Sequence, residues 1–149
     1  ICSGLVGSEM CIRDRGSKVA YPDRQVVLIS GDGAAGMNLM EFESAVRHNI
    51  PFLCIVCNDK SWGMTKHQHW LNYGKENTPA GHEMPFIKFH EIVKSMGGYG
   101  ELVEDPKDLI PAIERSIKSG LPSLINVLTN PDATSAATHA ITAMMTPKE

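Results

Sequence analysis

Apolar side chains fall along this chain in short unbroken runs, separated by stretches in which they recur at a helical spacing. The segments 25–30 (Gln25, Val26, Val27, Leu28, Ile29, Ser30) and 52–57 (Phe52, Leu53, Cys54, Ile55, Val56, Cys57) are runs of strand length without alternation. Pro22-Asp23, Gly31-Asp32-Gly33 and Pro51 bound them, the pattern of strands buried on both faces. Residues 123–128 form another such run, and 101–104 a shorter one. Between the first two runs, Leu39, Met40, Phe42, Ala45 and Val46 alternate with Glu41, Glu43, Arg47 and His48 before Asn49 and Pro51. That spacing predicts one amphipathic helix. Residues 85–96 and 106–120 repeat the helical period, each opening on a proline and followed by glycine. Strand, helix, strand in this order predicts right-handed crossovers between parallel strands. The expected fold is α/β: a three-layer, doubly wound, mostly parallel sheet with helices on both faces.

Three segments fall outside this pattern. From Asn58 to Met84 the period is broken by Gly63, Gly74, Pro79 and Gly81, which predicts a long loop, and such loops in compact domains carry function. Residues 131–149 are small and polar and read as a loosely ordered tail. Residues 1–15 show neither period, and their arginines follow rather than precede the apolar part, so no signal peptide is read there. The string Gly7 to Arg15 resembles translated sequencing-adapter read-through, so residues 1–15 are expected to be foreign, residues 16–130 to form the domain, and upstream sequence to be missing.

At 149 residues the chain has room for one domain with a self-sufficient core. A net charge of −3 gives no electrostatic case for nucleic acid or anionic membrane. No apolar run approaches the roughly 20 residues of a membrane-spanning helix. Cys2, Cys11, Cys54 and Cys57 lack the spacing of a disulfide framework or zinc knuckle, and the expectation is free thiols in the cytoplasm.

The chemistry concentrates where strands end. A strand running into Gly31-Asp32-Gly33-Ala34-Ala35-Gly36 and then a helix offers unobstructed backbone N–H groups to an anion. Gly31, Gly33 and Gly36 also spell the dinucleotide-binding fingerprint, which keeps a metal-independent Rossmann nucleotide module as the reading from another class. Asp32 separates the two. A carboxylate inside a phosphate loop is unfavourable unless a divalent cation stands between it and the phosphates. Oxygen ligands from two adjacent strand ends, Asp32 on one and Asn58 or Asp59 on the other, suit Mg²⁺ rather than zinc.

With Gly31-Asp32-Gly33 followed by Asn58-Asp59, the chain resembles the thiamine-diphosphate-dependent enzymes in their C-terminal diphosphate domain. Through Ser61, Trp62, Gly63, Met64, Thr65, Lys66 and His67 it is most similar to the acetolactate synthase and benzaldehyde lyase branch. The resemblance extends over most of residues 16–127. It implies thiamine diphosphate and Mg²⁺ as cofactors, with Asp32, Asp59 and the backbone oxygen of Ser61 as metal ligands, Asn58 being the alternative to Asp59. It further implies Gly31, Asp32, Gly33, Ala34, Ala35, Asp59, Ser61, Trp62, Gly63 and Met64 as the cofactor-binding set. The substrate implied is a small 2-oxo acid or aldehyde, and the activity a carboligase or lyase; the alternatives are another decarboxylase of the family or a 2-hydroxyacyl-CoA lyase. A homodimer or homotetramer is implied for the full-length protein. The family's catalytic glutamate belongs to another domain on a partner subunit, so no catalytic residue is expected in this chain and the fragment alone is expected to be inactive. His67 and His69 are expected to be solvated.

Overall fold

The computed structural model describes residues 10–78, 80–134 and 136–145; residues 1–9 and 146–149 of the expected foreign segment and tail lie outside the described residues. Four strands, β1 (Val27–Gly31), β2 (Leu53–Asn58), β3 (Tyr99–Val103) and β4 (Ser123–Leu128), pair in the order β1-β2-β4-β3, every pair parallel. Parallel strands need crossovers, and α2 (Asp32–Met37), α3 (Glu41–Arg47), α4 (Gly63–Tyr73), α5 (Phe89–Ser95) and α6 (Leu109–Ser119) lie in them, while α1 (Met10–Ala20) precedes β1 and α7 (Ala136–Met145) follows β4.

Side chains alternate between the two faces of the sheet, and the core divides accordingly. Leu28, Cys54, Val56 and Leu124 meet Phe42, Ala45 and Phe52 of the α2–α3 side and Phe89 and Val93 of α5. Leu53, Val103 and Ile125 meet Ala112 of α6 on the opposite face. Cys54 is buried in the first cluster while Cys57, three residues on, is half-buried on the other side, as the strand geometry requires. The doubly wound, three-layer α/β fold expected from the sequence is therefore the fold adopted. Among the described residues no helix is long and apolar enough to cross a membrane.

Three local expectations are corrected. The single helix expected between β1 and β2 is two, because the chain turns at Asn38, whose carbonyl accepts from Glu41 N at 3.1 Å. The expected loop between β2 and α5 holds α4, eleven residues closed by Gly74 at φ 88°, a value glycine accommodates. The expected tail contains α7, which packs against α4. Residues 10–15, which show neither period, nevertheless belong to α1, and Arg15 pairs with Glu41 at 2.6 Å.

Beneath the strand ends lies a buried polar knot. Asn58 Nδ2 donates to Asn126 Oδ1 (3.1 Å) and to the Ile87 carbonyl (3.2 Å), which also accepts from Asn126 Nδ2 (3.1 Å). Asn126 Nδ2 lies 3.3 Å from His90 Nδ1. An amide nitrogen can only donate, so Nδ1 accepts in this contact, and burial holds the imidazole below its ordinary range against the opposing pull of Glu91. The knot fixes β2, β4 and the approach to α5 as one unit, and above it the site is built.

Candidate functional site

Because Gly31 and Cys57 are register partners, the residues that follow them leave the sheet side by side. Asp32 opens α2 directly from β1, and its Oδ1 accepts from Gly33 N at 2.9 Å. Asn58 ends β2, Lys60 turns the chain at φ 60°, and Asp59 folds back over the turn. Asp59 Oδ1 accepts from both the backbone N and the Oγ of Ser61, each at 2.9 Å. The same Ser61 N lies 3.3 Å from Asp32 Oδ2. Two carboxylates from neighbouring strand ends thus converge on one backbone amide. Asp32 is almost fully buried; burial first, and then the Asp59 charge, push its carboxyl above the ordinary carboxylate range, while the N–H groups of Gly33, Lys60 and Ser61 oppose the shift. Desolvation likewise raises the Cys57 thiol, with both carboxylates adding to it. The strand ends form a concentrated negative site.

Asn58 and Asp59 take different roles. The Asn58 amide is spent on the polar knot, and its Oδ1 accepts from Lys60 N at 3.2 Å. Asp59 is the one that faces Asp32. Its carboxylate reaches so far over α4 that a Cβ on Gly63 would stand 2.5 Å from Asp59 Oδ2. On the other side a Cβ on Gly33 would stand 2.7 Å from the Trp62 ring, which lies across that glycine. At Gly31 and Gly36 a Cβ would meet nothing within 4 Å, so open space adjoins the two ends of α2. Ala35 is buried and Ala34 half-buried in the same turn. Trp62 and Met64 stand exposed at the start of α4. The ten residues expected to bind cofactor therefore share one end of the sheet, as ligand sites at the carboxyl ends of parallel strands do.

The donor set fits a hard divalent cation. Two carboxylates repel across a shared amide, a cation between them relieves both, and oxygen ligands with open space for phosphates are what Mg²⁺ takes. Among the described residues no three His, Cys, Asp or Glu side chains converge, so an ion here draws further ligands from backbone, water or phosphate. The histidines after the pair do not join. His67 is buried, not solvated, with Nε2 2.9 Å from the Pro131 carbonyl, and His69 Nε2 lies 3.1 Å from the Asn77 carbonyl.

Sequence reasoning passed over Lys66, buried in α4 with Nζ 3.3 Å from Ser61 Oγ. Its signal was the break in apolar period that made the segment look like a loop.

The profile described as "Thiamine pyrophosphate enzyme, C-terminal TPP binding domain" matches residues 15–127. An acetolactate synthase large subunit of Mycobacterium tuberculosis is 44% identical over 115 residues, 77% of this chain and 21% of that protein. A sulfoacetaldehyde acetyltransferase of Alcaligenes xylosoxydans is 35% identical over 76% of this chain and 19% of its own length. A 2-hydroxyacyl-CoA lyase of Oryza sativa is 33% identical over 86% and 22%. Among solved structures, a thiamine diphosphate-dependent 4-hydroxybenzoylformate decarboxylase of Rhodococcus jostii superposes with a TM-score of 0.77 at 27% identity, covering 85% of this chain and 24% of that one. The chain spans about a fifth of the length of these curated relatives.

Proposed function

Because the chain belongs to the thiamine pyrophosphate enzymes, through their C-terminal TPP-binding domain, we propose that it binds thiamine diphosphate through Mg²⁺ as part of a 2-oxo acid carboligase or lyase resembling acetolactate synthase. The observation that carries this reading is the convergence of Asp32 and Asp59 on Ser61 N beside the N-terminal end of α2, where a Cβ on Gly31 would meet nothing within 4 Å. In the proposal Asp32, Asp59 and the Ser61 carbonyl hold the metal, Asn58 being committed to the core. Gly31, Gly33, Ala34 and Ala35 present backbone to the diphosphate, as do Gly63 and Met64 at the start of α4. Trp62 packs on Gly33 and, with Met64, flanks the bound cofactor. Thiamine diphosphate supplies the making and breaking of the bond beside a carbonyl; this chain's residues anchor and orient it. The acid pair weighs against a metal-independent Rossmann module, in which it would face a pyrophosphate uncompensated.

The proposed domain is residues 16–130. Buried Asp14, whose Oδ2 has no hydrogen-bond partner among the described residues and whose carboxyl is raised by burial, supports reading residues 1–15 as foreign to it. The substrate is a small 2-oxo acid or aldehyde, the assembly a homodimer or homotetramer of the longer protein, and the chain alone inactive. A cytoplasmic setting is proposed from four cysteines whose spacing matches neither a disulfide framework nor a zinc knuckle. The likeness to a 2-hydroxyacyl-CoA lyase over 86% of the chain favours a second reading, lyase chemistry on an acyl-CoA, which product analysis on the completed gene separates from the first.

The test is calorimetric titration with thiamine diphosphate, with magnesium and again with chelator, beside Asp32→Ala. Saturable binding lost with chelator and in the variant is expected. Magnesium-indifferent binding of NAD refutes the proposal.

A further inference from the structure

Lys66 lies in the first turns of α4, its side chain 3% exposed. An ammonium removed from water needs partners that replace the solvent. It has Ser61 Oγ at 3.3 Å, Glu83 Oε1 at 3.4 Å and the Trp70 ring at 5.0 Å from its centroid. The Glu83 side chain is 75% exposed, so water screens that pair, and Lys75 sits 4.6 Å from the same Trp70 ring. Ser61 carries no charge, yet its Oγ donates to Asp59 Oδ1 at 2.9 Å. Lys66 is thereby joined to the acidic pair: its Nζ donates to the hydroxyl, and the hydroxyl donates to the carboxylate.

Counting charges shows what the link does. Asp32 and Asp59 bring two negative charges to the strand ends, and one divalent cation balances both. An arriving diphosphate is then left facing a neutral site. One buried ammonium behind Ser61 changes that balance by a full charge.

We infer that Lys66 is the standing counter-charge of Asp59: a positioning residue that orients the Asp59 carboxylate through the Ser61 hydroxyl and restores the positive charge that a second carboxylate removes from diphosphate binding. The part concerning diphosphate rests on the Mg²⁺-diphosphate reading of the site; the pairing of Lys66 with Asp59 does not.

The experiment is a double-mutant cycle in the 149-residue chain, Lys66→Met with Asp59→Asn, read in two ways. Lys66→Met keeps the length of the stem that packs by Trp70. In thermal unfolding without ligand, Lys66→Met is expected to lower Tm in the parent and distinctly less in the D59N background. In titrations with magnesium and inorganic pyrophosphate, it is expected to weaken binding about tenfold in the parent and about threefold or less in the D59N background, as removal of a nearby charge implies. Ser61→Ala, which cuts the link while leaving lysine and backbone carbonyl in place, is expected to reproduce the loss of coupling should Lys66→Met fail to fold. Additive effects of the two substitutions in unfolding overturn the inference, as does coupling of Lys66→Met to Glu83→Gln instead of Asp59→Asn. A parent chain that binds no magnesium pyrophosphate overturns the site reading and the diphosphate role together, and the unfolding cycle still decides the pairing.

Discussion

Replacing Gly63 by alanine sets two effects of known size against each other. In the first turn of a helix, alanine in place of glycine stabilises by up to about 1 kcal/mol. At Gly63, however, the new Cβ would stand 2.5 Å from Asp59 Oδ2, and ordinary contact begins at 3.4 Å, so the carboxylate must retreat by about 0.9 Å. Retreat loosens its hydrogen bonds from Ser61 N and Oγ, both 2.9 Å. Bonds to a charged acceptor contribute about 1.5–3 kcal/mol each, and partial loss of two outweighs the gain in helix propensity. The expected net destabilisation is about 1–3 kcal/mol, a fall in Tm of about 3–10 °C for a domain of this size. Metal binding suffers more. Mg²⁺ holds its oxygens within a few tenths of an ångström of about 2.1 Å, so a ligand displaced this far costs at least about tenfold in affinity for magnesium and thiamine diphosphate. Gly16→Ala in α1, where a Cβ meets nothing within 4 Å, serves as the control that changes helix propensity alone. Calorimetry and thermal unfolding on both variants decide the matter. A Gly63→Ala chain that binds magnesium and cofactor as tightly as the parent refutes the reasoning, since Asp59 would then not coordinate from the position it occupies.

Asp32 should carry a stability cost in the absence of cation. Its carboxyl is raised in the folded chain by burial and by Asp59, so the stability tied to its protonated form is full below the ordinary carboxylate range and lost as pH rises through the raised value. Asp32→Asn is therefore expected to raise the Tm of the ligand-free chain at pH 7, to lose that advantage near pH 3, and to abolish magnesium-dependent cofactor binding; Tm against pH checks the sign. Gly100→Ala places a Cβ 2.0 Å from the His90 carbonyl, a backbone atom that cannot rotate away; β3 and α5 must separate, and loss of cooperative unfolding by circular dichroism is expected. Phe42→Ala empties a fully buried position whose ring lies 5.0 Å from that of Phe52, at a cost of about 3–5 kcal/mol in denaturant titration. Arg115→Ala removes a half-exposed partner of Glu101, and a change under about 1 kcal/mol that shrinks with salt is expected.

What could be read in advance divides along a physical line. The strands and α6 were legible because they bury apolar residues at their own period: 123–128 is β4 to the residue, and β1 and β2 are displaced by one or two residues from the apolar runs that announced them. Gly31-Asp32-Gly33 and Asn58-Asp59 stood out because each follows an apolar run of strand length, and the structure sets those two strand ends side by side. α4 was not, for the converse reason. The side chains it buries are Lys66 and His67 rather than an apolar stripe, so hydrophobic periodicity carries no trace of it, and its bounding glycines mimic a loop. Each answers to something distant in the fold or to backbone geometry: Gly63 to the Asp59 carboxylate, Gly74 to the left-handed turn that ends the helix. α7 was hidden by small residues, since alanine and threonine form helix without marking a face. The different surroundings of the Asn58 and Asp59 side chains could not be read from spacing either. They follow from Asn126 and Ile87, far away in sequence, which take up the Asn58 amide, while the Asp59 carboxylate shares the Ser61 amide with Asp32. Polar residues buried by a site obey the partners of that site, and those partners become visible only when the chain is folded. The part of α4 that sequence patterns render as a loop is, for that reason, the part where a buried lysine and an acidic pair have been brought within one hydroxyl of each other.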